Sequence, residues 1–381
     1  MEQTKHTTTA PRLTIDLNAL ASNWSALQKL SGQAECSAVI KADAYGLTIE
    51  PVAKALAKAG CTTFFVAMVE EGIRVRKLLP DATIFVLNGI LKETTQAVIE
   101  NNLCPVLSSI DQIGMWMDAK SGIENTPGCA IHIDTGMNRL GLSLAEAEGL
   151  GNKPELVSRI GPSLIMSHLA CADYPEHELN ALQLERFTKI ASLFPGVPAS
   201  LANTAAILSG KKYHFNLTRP GIGIYGGEAI NLLPNPMQTV VTAEARILQI
   251  RHARAGESVG YGASKILDRD TRIAIVSGGY ADGFHRAGSG SGVALRTTDV
   301  IAGHGAIGDI LVPILGRVSM DLTAFDVTDV PEATLSDAEW IELFGKNLPL
   351  DDAARACGTI GYELLTGLGH RYQRTYLGEA E

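Results

Sequence analysis

Cysteine is scarce and scattered in this 381-residue chain: Cys36, Cys61, Cys104, Cys129, Cys171 and Cys357 include no Cys-x-x-Cys pair. That spacing excludes a zinc ribbon and a small disulfide scaffold, and leaves free buried thiols as the expectation. Charge is thin at 19%, and its balance is acidic, with a net charge of −9. Such a balance argues against a protein that grips nucleic-acid phosphates. No apolar run approaches the ~20 residues of a membrane span, and the polar opening Met1–Thr9 lacks the apolar core of a secretory signal. The expected location is the cytoplasm, with neither nucleic acid nor membrane as partner. Low charge together with 46% hydrophobic residues also excludes extended disorder. At ~100 to 200 residues per domain, the length leaves room for two domains or three small ones.

What is present is a grammar. From Cys36 to Tyr225, short β-branched or apolar runs alternate with segments of helical period, the pattern of β-α units around a parallel sheet. Eight strands are expected, ending near Lys41, Met68, Asn88, Ser108, Asp134, His168, Asn203 and Tyr225, and eight is the number a closed barrel needs. Between them, Ile49, Val52, Ala53, Leu56 and Ala59 fall on one helical face that Gly60 ends, and His177–Phe194 is the longest intervening helix. Beyond Pro234 and Pro236 the pattern changes to strand-like runs, Thr242–Ile250, Arg272–Ser277 and Ile310–Leu315, with Gly288–Gly292 as a loop and a helical tail over Asp351–Gly367. The expected fold is α/β: an eight-stranded β/α (TIM-type) barrel over residues 1–238, then a mainly-β C-terminal domain over 239–381. Residues 1–17 are free to pair with the second domain. No repeat beyond the β-α unit is visible.

In a β/α barrel the chemistry sits at the carboxyl ends of the strands. Five of the eight expected ends carry candidate groups: Lys41, Arg139, His168, the pair Asn203-Thr204, and Arg219. Lys41 is the most informative, because Ala38–Gly46 places a lysine directly after an apolar strand. Desolvation there lowers an ammonium's pKa, which suits Schiff-base formation with an aldehyde such as pyridoxal phosphate. A lysine that merely lays its stem on the barrel rim would have the same sequence. Gly221–Gly226 matches G-x-G-x-x-G literally, but no helical period follows before Pro234, so a dinucleotide site is not expected. Closely approaching N–H groups of Gly221 and Ile222 suit a single phosphate instead.

Val39–Gly46, Asp134–Gly141, Ser167-His168, Thr218–Gly226, Val259–Ala263, Gly279–Gly283, Gly316–Asp321 and Gly358–Glu363 together resemble the alanine racemase family, in an order and spacing that span nearly the whole chain. The resemblance implies a pyridoxal 5'-phosphate enzyme that interconverts L- and D-alanine by a two-base mechanism, and a homodimer with shared active sites. By it, Lys41 holds the cofactor covalently and is the base on the D face, while Tyr261 from the partner subunit is the base on the L face. Racemisation removes the α-proton from one side and returns it to the other, so two opposed groups are required. A tyrosine near pKa 10 needs cationic or hydrogen-bonded surroundings for this, and His168 and Arg219 are the family's candidates.

The same resemblance makes Arg219 the partner of the pyridine nitrogen and adds His168 and Asn203 to the cofactor site. It gives the phosphate to the hydroxyls of Tyr45, Tyr362 and Thr204 and the N–H groups of Gly221 and Ile222. Arg139 would contact the substrate carboxylate and the cofactor's phenolic oxygen, a role that suits its planar fork. Met320 would line the substrate side with Tyr261, Asp321 would stand behind it, and no metal is implied. Two positions depart from the pattern. His132 stands where many relatives carry a carbamylated lysine, so the usual support for Arg139 is missing, and Ser319 stands where cysteine is frequent. The rival readings are a broader amino-acid racemase, for instance of serine, and a non-catalytic pyridoxal-phosphate-binding barrel protein, which would lack the second domain.

Overall fold

A computed structural model of the chain describes residues 9–123, 126–230, 235–289 and 303–378. The chain divides into two compact units, Asn18–Gln238 and a second made of Met1–Leu17 with Thr239–Glu381.

In the first unit, seven parallel strands pair in chain order: Ala38–Val39, Thr63–Val66, Thr83–Val86, Cys104–Leu107, Cys129–His132, Pro162–Met166 and Ala199–Ser200. Helices cover the sheet, so most of these strands are buried on both faces. That is why they read as continuous apolar runs rather than as alternating ones. The eighth strand is not Gly221–Tyr225 as expected. It lies earlier, at Leu217–Thr218, and pairs in parallel with Glu35–Cys36, the opening piece of the first strand. Ser37 N donates to Thr218 O at 3.0 Å, Val39 N to Pro220 O at 2.9 Å and Arg219 N to Ala202 O at 2.8 Å, which closes the barrel. Pro220 has no N–H to continue the ladder, and Ile222–Tyr225 instead forms a single 3-10 turn that Gly226 ends at φ 86°.

The helix Ile49–Lys58 buries Ile49, Val52, Ala53 and Leu56 completely, and Gly60 turns the chain at φ 107°. Each of the larger aliphatic side chains contributes roughly 1.5–3 kcal/mol by leaving water. Helix Glu178–Ala191 occupies the expected segment. An additional helix, Leu17–Ser31, carries Asn23, whose side chain accepts from Gln238 N at 2.7 Å and donates to Gln238 O at 2.9 Å, fixing the end of the unit.

The second unit is built on an eight-stranded sheet around the 13-residue strand Val241–Ala253. That strand pairs antiparallel with Arg12–Asp16, Thr271–Ser277 and Trp340–Phe344, and a bulge between Ile247 and Gln249 shifts its register. Arg12–Asp16 also pairs in parallel with Gln373–Leu377, so both ends of the described chain are tied into this sheet. The helical tail is two short helices, Leu350–Ala356 and Gly361–Thr366, separated at Gly358, whose φ of 68° no right-handed helix accommodates. Of the stretch 288–292, residues 290–292 lie outside the described residues, as does Pro234. Cys36, Cys61, Cys104, Cys129 and Cys357 are buried and Cys171 is partly so, all six with free thiols. Among the described residues no helix is long and apolar enough to cross a membrane.

Candidate active site

The first strand stops at Val39, and the backbone beyond Lys41 is unusual. Ala42, Asp43, Ala44 and Tyr45 all have φ between 52° and 56°, a full turn of left-handed helix. For residues with a Cβ this costs roughly 1–2 kcal/mol each, so the surroundings must impose it. Gly46 N closes the turn on Ala42 O at 2.8 Å, and the Asp43 carboxylate accepts from Ile49 N at 3.0 Å, at the start of the next helix. The turn places Lys41 at one end and the buried Tyr45 at the other. Burial, then the charge of Arg139, lowers the Lys41 pKa, while Glu71 opposes them.

Tyr45 is packed rather than mobile. Its ring stacks on Tyr225 at 4.4 Å, and the Tyr225 hydroxyl donates to Val39 O at 3.0 Å. A Cβ on Gly221 would lie 2.3 Å from the Tyr45 hydroxyl, so only glycine permits this approach. Thr204 completes the cluster, its Oγ1 accepting from Gly221 N at 2.9 Å and from Gly223 N at 3.5 Å. Thr204 Oγ1 is thus held as an acceptor, which orients its own hydroxyl proton away from these amides, where it suits a phosphate beside Gly221. Asn203 also shapes the backbone here: its Oδ1 accepts from Ala206 N at 3.0 Å and caps the helix Thr204–Ser209.

Arg219 is 4% exposed, and its guanidinium donates to Ser200 Oγ and to Ser167 O at 2.6 Å while lying 6.0 Å over the Phe65 ring. Among the described residues no carboxylate pairs with it. Burial draws its pKa down to about 9, still cationic at neutral pH. His168 lies close to Arg219, Arg139, His132 and Lys41; burial first, then these neighbours, holds it well below the ordinary histidine value and therefore neutral. Its backbone is pinned by the fully buried Gln183, whose Nε2 donates to His168 O at 2.9 Å and to Thr135 Oγ1 at 3.1 Å. Ser200, Tyr225 and Gln183 are the supports that sequence reasoning missed.

His132 is buried, with Nδ1 3.5 Å from Ser108 Oγ, and burial followed by Arg219 and Arg139 lowers its pKa to about 4. The native state keeps this ring neutral, whereas the unfolded chain takes up a proton below about 6.5. His132 therefore stabilises the fold fully above pH 6.5, and its contribution of about 3 kcal/mol is lost as pH falls toward 4. Urea midpoints followed by fluorescence should drop over that window, and His132→Gln should flatten the drop. Arg139 is exposed on the rim, its charge felt at Lys41, His132 and His168.

The remaining candidates belong to the second unit. Tyr261 is 71% exposed in a one-turn 3-10 segment between Gly260 at φ 75° and Gly262 at φ 71°, at the tip of the hairpin formed by Ser258–Val259 and Lys265–Ile266. A Cβ on Gly316 would lie 2.7 Å from Val259 O, so this hairpin packs closely on the loop that carries Met320. Met320 is 53% exposed, and its carbonyl accepts from Ala281 N at 3.0 Å. Asp321 is ion-paired to Arg371 at 2.6 Å, and Arg371 also forks onto the buried Asp282 at 2.7 Å. Tyr362 is 37% exposed in the helix Gly361–Thr366. Among the described residues no group of three or more His, Cys, Asp or Glu side chains is placed to hold a metal ion.

Residues 15–229 match the family model described as alanine racemase, N-terminal domain, and residues 240–376 match alanine racemase, C-terminal domain. The chain is 51% identical over 380 residues to an alanine racemase of Rhizobium meliloti (strain 1021), covering 100% of both chains. It is also 51% identical to a biosynthetic alanine racemase of Agrobacterium fabrum, over 96% of this chain and 93% of that one. Among solved structures, the alanine racemase of Bartonella henselae with covalently bound pyridoxal phosphate superposes with a TM-score of 0.88 at 34% identity, over 97% of this chain and 100% of that one.

Proposed function

Because the chain belongs to the alanine racemase family, we propose that it interconverts L- and D-alanine in the cytoplasm with pyridoxal 5'-phosphate, Lys41 and a partner's Tyr261 serving as the two bases. The observation that carries this reading is the charge of the barrel mouth. Lys41, Arg139 and Arg219 all act on His168, a positive setting suited to a dianionic phosphate and a substrate carboxylate. The close approach of Tyr45 to Gly221, with Thr204 beside them, fits the phosphate end.

Pyridoxal phosphate, when bound, supplies an electron sink that acidifies the α-C–H of an attached amino acid. Tyr45, Tyr362, Thr204 and the Ile222 N–H would hold the phosphate by neutral donors, several converging on one dianion, and the Gly221 N–H, which donates to Thr204 Oγ1, would join them only by giving up that bond. Arg219, held by Ser200 and Ser167, would meet the pyridine nitrogen with its guanidinium, and His168 and Asn203 would complete the cofactor site. Arg139 forks onto the substrate carboxylate. Lys41, which burial and Arg139 make easier to deprotonate, moves the α-proton on the D face. Tyr261 moves it on the L face. Burial and the surrounding cations keep His168 neutral, so it would serve there as a hydrogen-bonding group and not as a cation.

A homodimer with shared sites is supported by what each unit leaves uncovered. Met68, Leu91, Leu140 and Tyr174 are exposed in loops that follow barrel strands, Ile110 is exposed where it opens the helix Ile110–Ala119, and Tyr261 and Met320 are exposed on the second unit. Exposed apolar groups of this kind suit an interface, and closed twofold pairing would cover both sets. Met320 then borders the substrate's side chain, with Asp321 and Arg371 fixing its loop.

The purified protein is expected to racemise alanine faster than serine or any other member of a panel of amino acids, with chiral chromatography as the readout. Borohydride should fix pyridoxal phosphate onto the Lys41 peptide. A faster rate with serine would select the broader-specificity reading, and cofactor capture without racemisation of any amino acid would select a non-catalytic carrier.

A further inference from the structure

The left-handed turn Ala42–Tyr45 joins two residues that, on the reading above, meet opposite ends of the cofactor. Four consecutive non-glycine residues near φ +54° have no intrinsic preference for that state, so a contact from outside the turn must hold them. Glu71, in the first turn of the helix Val69–Leu78, makes such a contact. Its Oε2 accepts from Ala67 N at 2.8 Å and Met68 N at 3.1 Å, an ordinary cap on its own helix. Its Oε1 does something a cap does not require: it accepts the Asp43 amide, in the middle of the left-handed turn, at 3.2 Å. The Asp43 side chain is secured separately, on Ile49 N and on Arg74 at 2.8 Å, and Arg74 also forks onto Glu50. Glu71 also brings a negative charge to bear on Lys41, against burial and Arg139.

We propose that Glu71 is the positioning residue for Lys41 and Tyr45, its carboxylate clamping the Asp43 amide to the amino end of the neighbouring helix and so fixing the turn that sets the spacing between them. The proposal rests on the reading that Lys41 carries pyridoxal phosphate and Tyr45 meets its phosphate. The clamp needs two acceptor oxygens on one rigid group. Glutamine supplies only one, so whichever way it turns, its NH2 faces a backbone N–H. Aspartate is one carbon shorter and does not span both sets of amides.

The test compares wild-type protein with Glu71→Gln. Site-resolved amide exchange at Asp43 should accelerate by about tenfold, the effect of one lost hydrogen bond of this kind. The apoprotein's apparent affinity for pyridoxal phosphate should weaken by a similar factor, with far-UV circular dichroism unchanged. The pH at which Lys41 of the apoprotein reacts half-maximally with trinitrobenzenesulfonate, read from its peptide by mass spectrometry, should move down, because an opposing negative charge has been removed. That shift reads the charge Glu71 brings to Lys41, while the exchange at Asp43 reads the clamp. Wild-type exchange at Asp43 in Glu71→Gln overturns the proposal, whatever the pH midpoint does. So does fast exchange of the Asp43 amide in the wild type, a measurement that needs no variant to fold. Failure of the underlying reading has a different signature: borohydride would fix the cofactor to another lysine of the wild-type protein, whatever Glu71 does.

Discussion

Lys41→Ala and Tyr261→Phe proteins, each nearly inactive alone, are expected to regain activity when their subunits exchange. On the proposed two-base reading, every site of a Lys41→Ala homodimer would lack its D-face base and its covalent anchor, and every site of a Tyr261→Phe homodimer would lack its L-face base. Loss of one general base costs about 10²–10⁴-fold. In a mixed dimer with sites shared across the twofold axis, one site collects both defects, while the other pairs an intact Lys41 with the intact Tyr261 of the partner subunit. Each mixed dimer should therefore recover up to about half of the wild-type rate, since one of its two symmetric sites is whole. The high exposure of Tyr261 on its hairpin tip makes the phenol-to-phenyl change a mild one for the fold, so its effect should be chemical. Tyr261→Phe homodimers should also exchange the α-proton of D-alanine with deuterated solvent through Lys41, yet form little L-alanine. Mixed dimers that form but stay inactive would rule out the shared site. A wild-type rate in Tyr261→Phe would remove Tyr261 from the mechanism.

The parts of this arrangement that were legible in the sequence were those set by local pattern. A lysine behind a short apolar strand, an asparagine-threonine pair at a strand end and the glycines of Gly221–Gly226 each leave a trace within a few residues. The eighth strand left almost none. Leu217–Thr218 is two residues long, too short for a period, whereas Gly221–Tyr225 alternates apolar residues convincingly and is halted only by the missing N–H of Pro220. The left-handed turn was equally hidden, because Ala-Asp-Ala-Tyr carries no glycine to announce positive φ. Contacts from Glu71 and from the Asp43 side chain override the local preference, and Glu71 is distant in sequence. Gln183 and Ser200 read as an ordinary helix residue and an ordinary strand residue; only closure of the barrel brings them to His168 and Arg219.

If Arg219 meets the pyridine nitrogen as proposed, Arg219→Glu is expected to slow racemisation on the order of a hundredfold, the usual scale for losing a preorganised electrostatic contact, and to raise transamination as a side reaction. The sign of the charge decides both effects. A guanidinium beside the pyridine nitrogen disfavours its protonation, whereas a carboxylate favours it and strengthens the electron sink. A stronger sink would favour transamination over racemisation, in which water releases the carbon skeleton as pyruvate and the amino group stays on the cofactor, one turnover per bound cofactor. The protein has built this position for a cation: Ser200 Oγ and Ser167 O both accept from the guanidinium, and no described carboxylate neutralises it. A glutamate there would meet the Ser167 carbonyl unfavourably, so disorder around the sixth and seventh strands is a second route to a lower rate. Arg219→Lys separates the two causes, because it keeps the charge while giving up the fork. The lysine variant should lose rate without gaining pyruvate, and the glutamate variant should do both, with pyruvate measured by coupled reduction. Equal pyruvate from wild type and Arg219→Glu at an undiminished racemisation rate would place Arg219 away from the ring nitrogen.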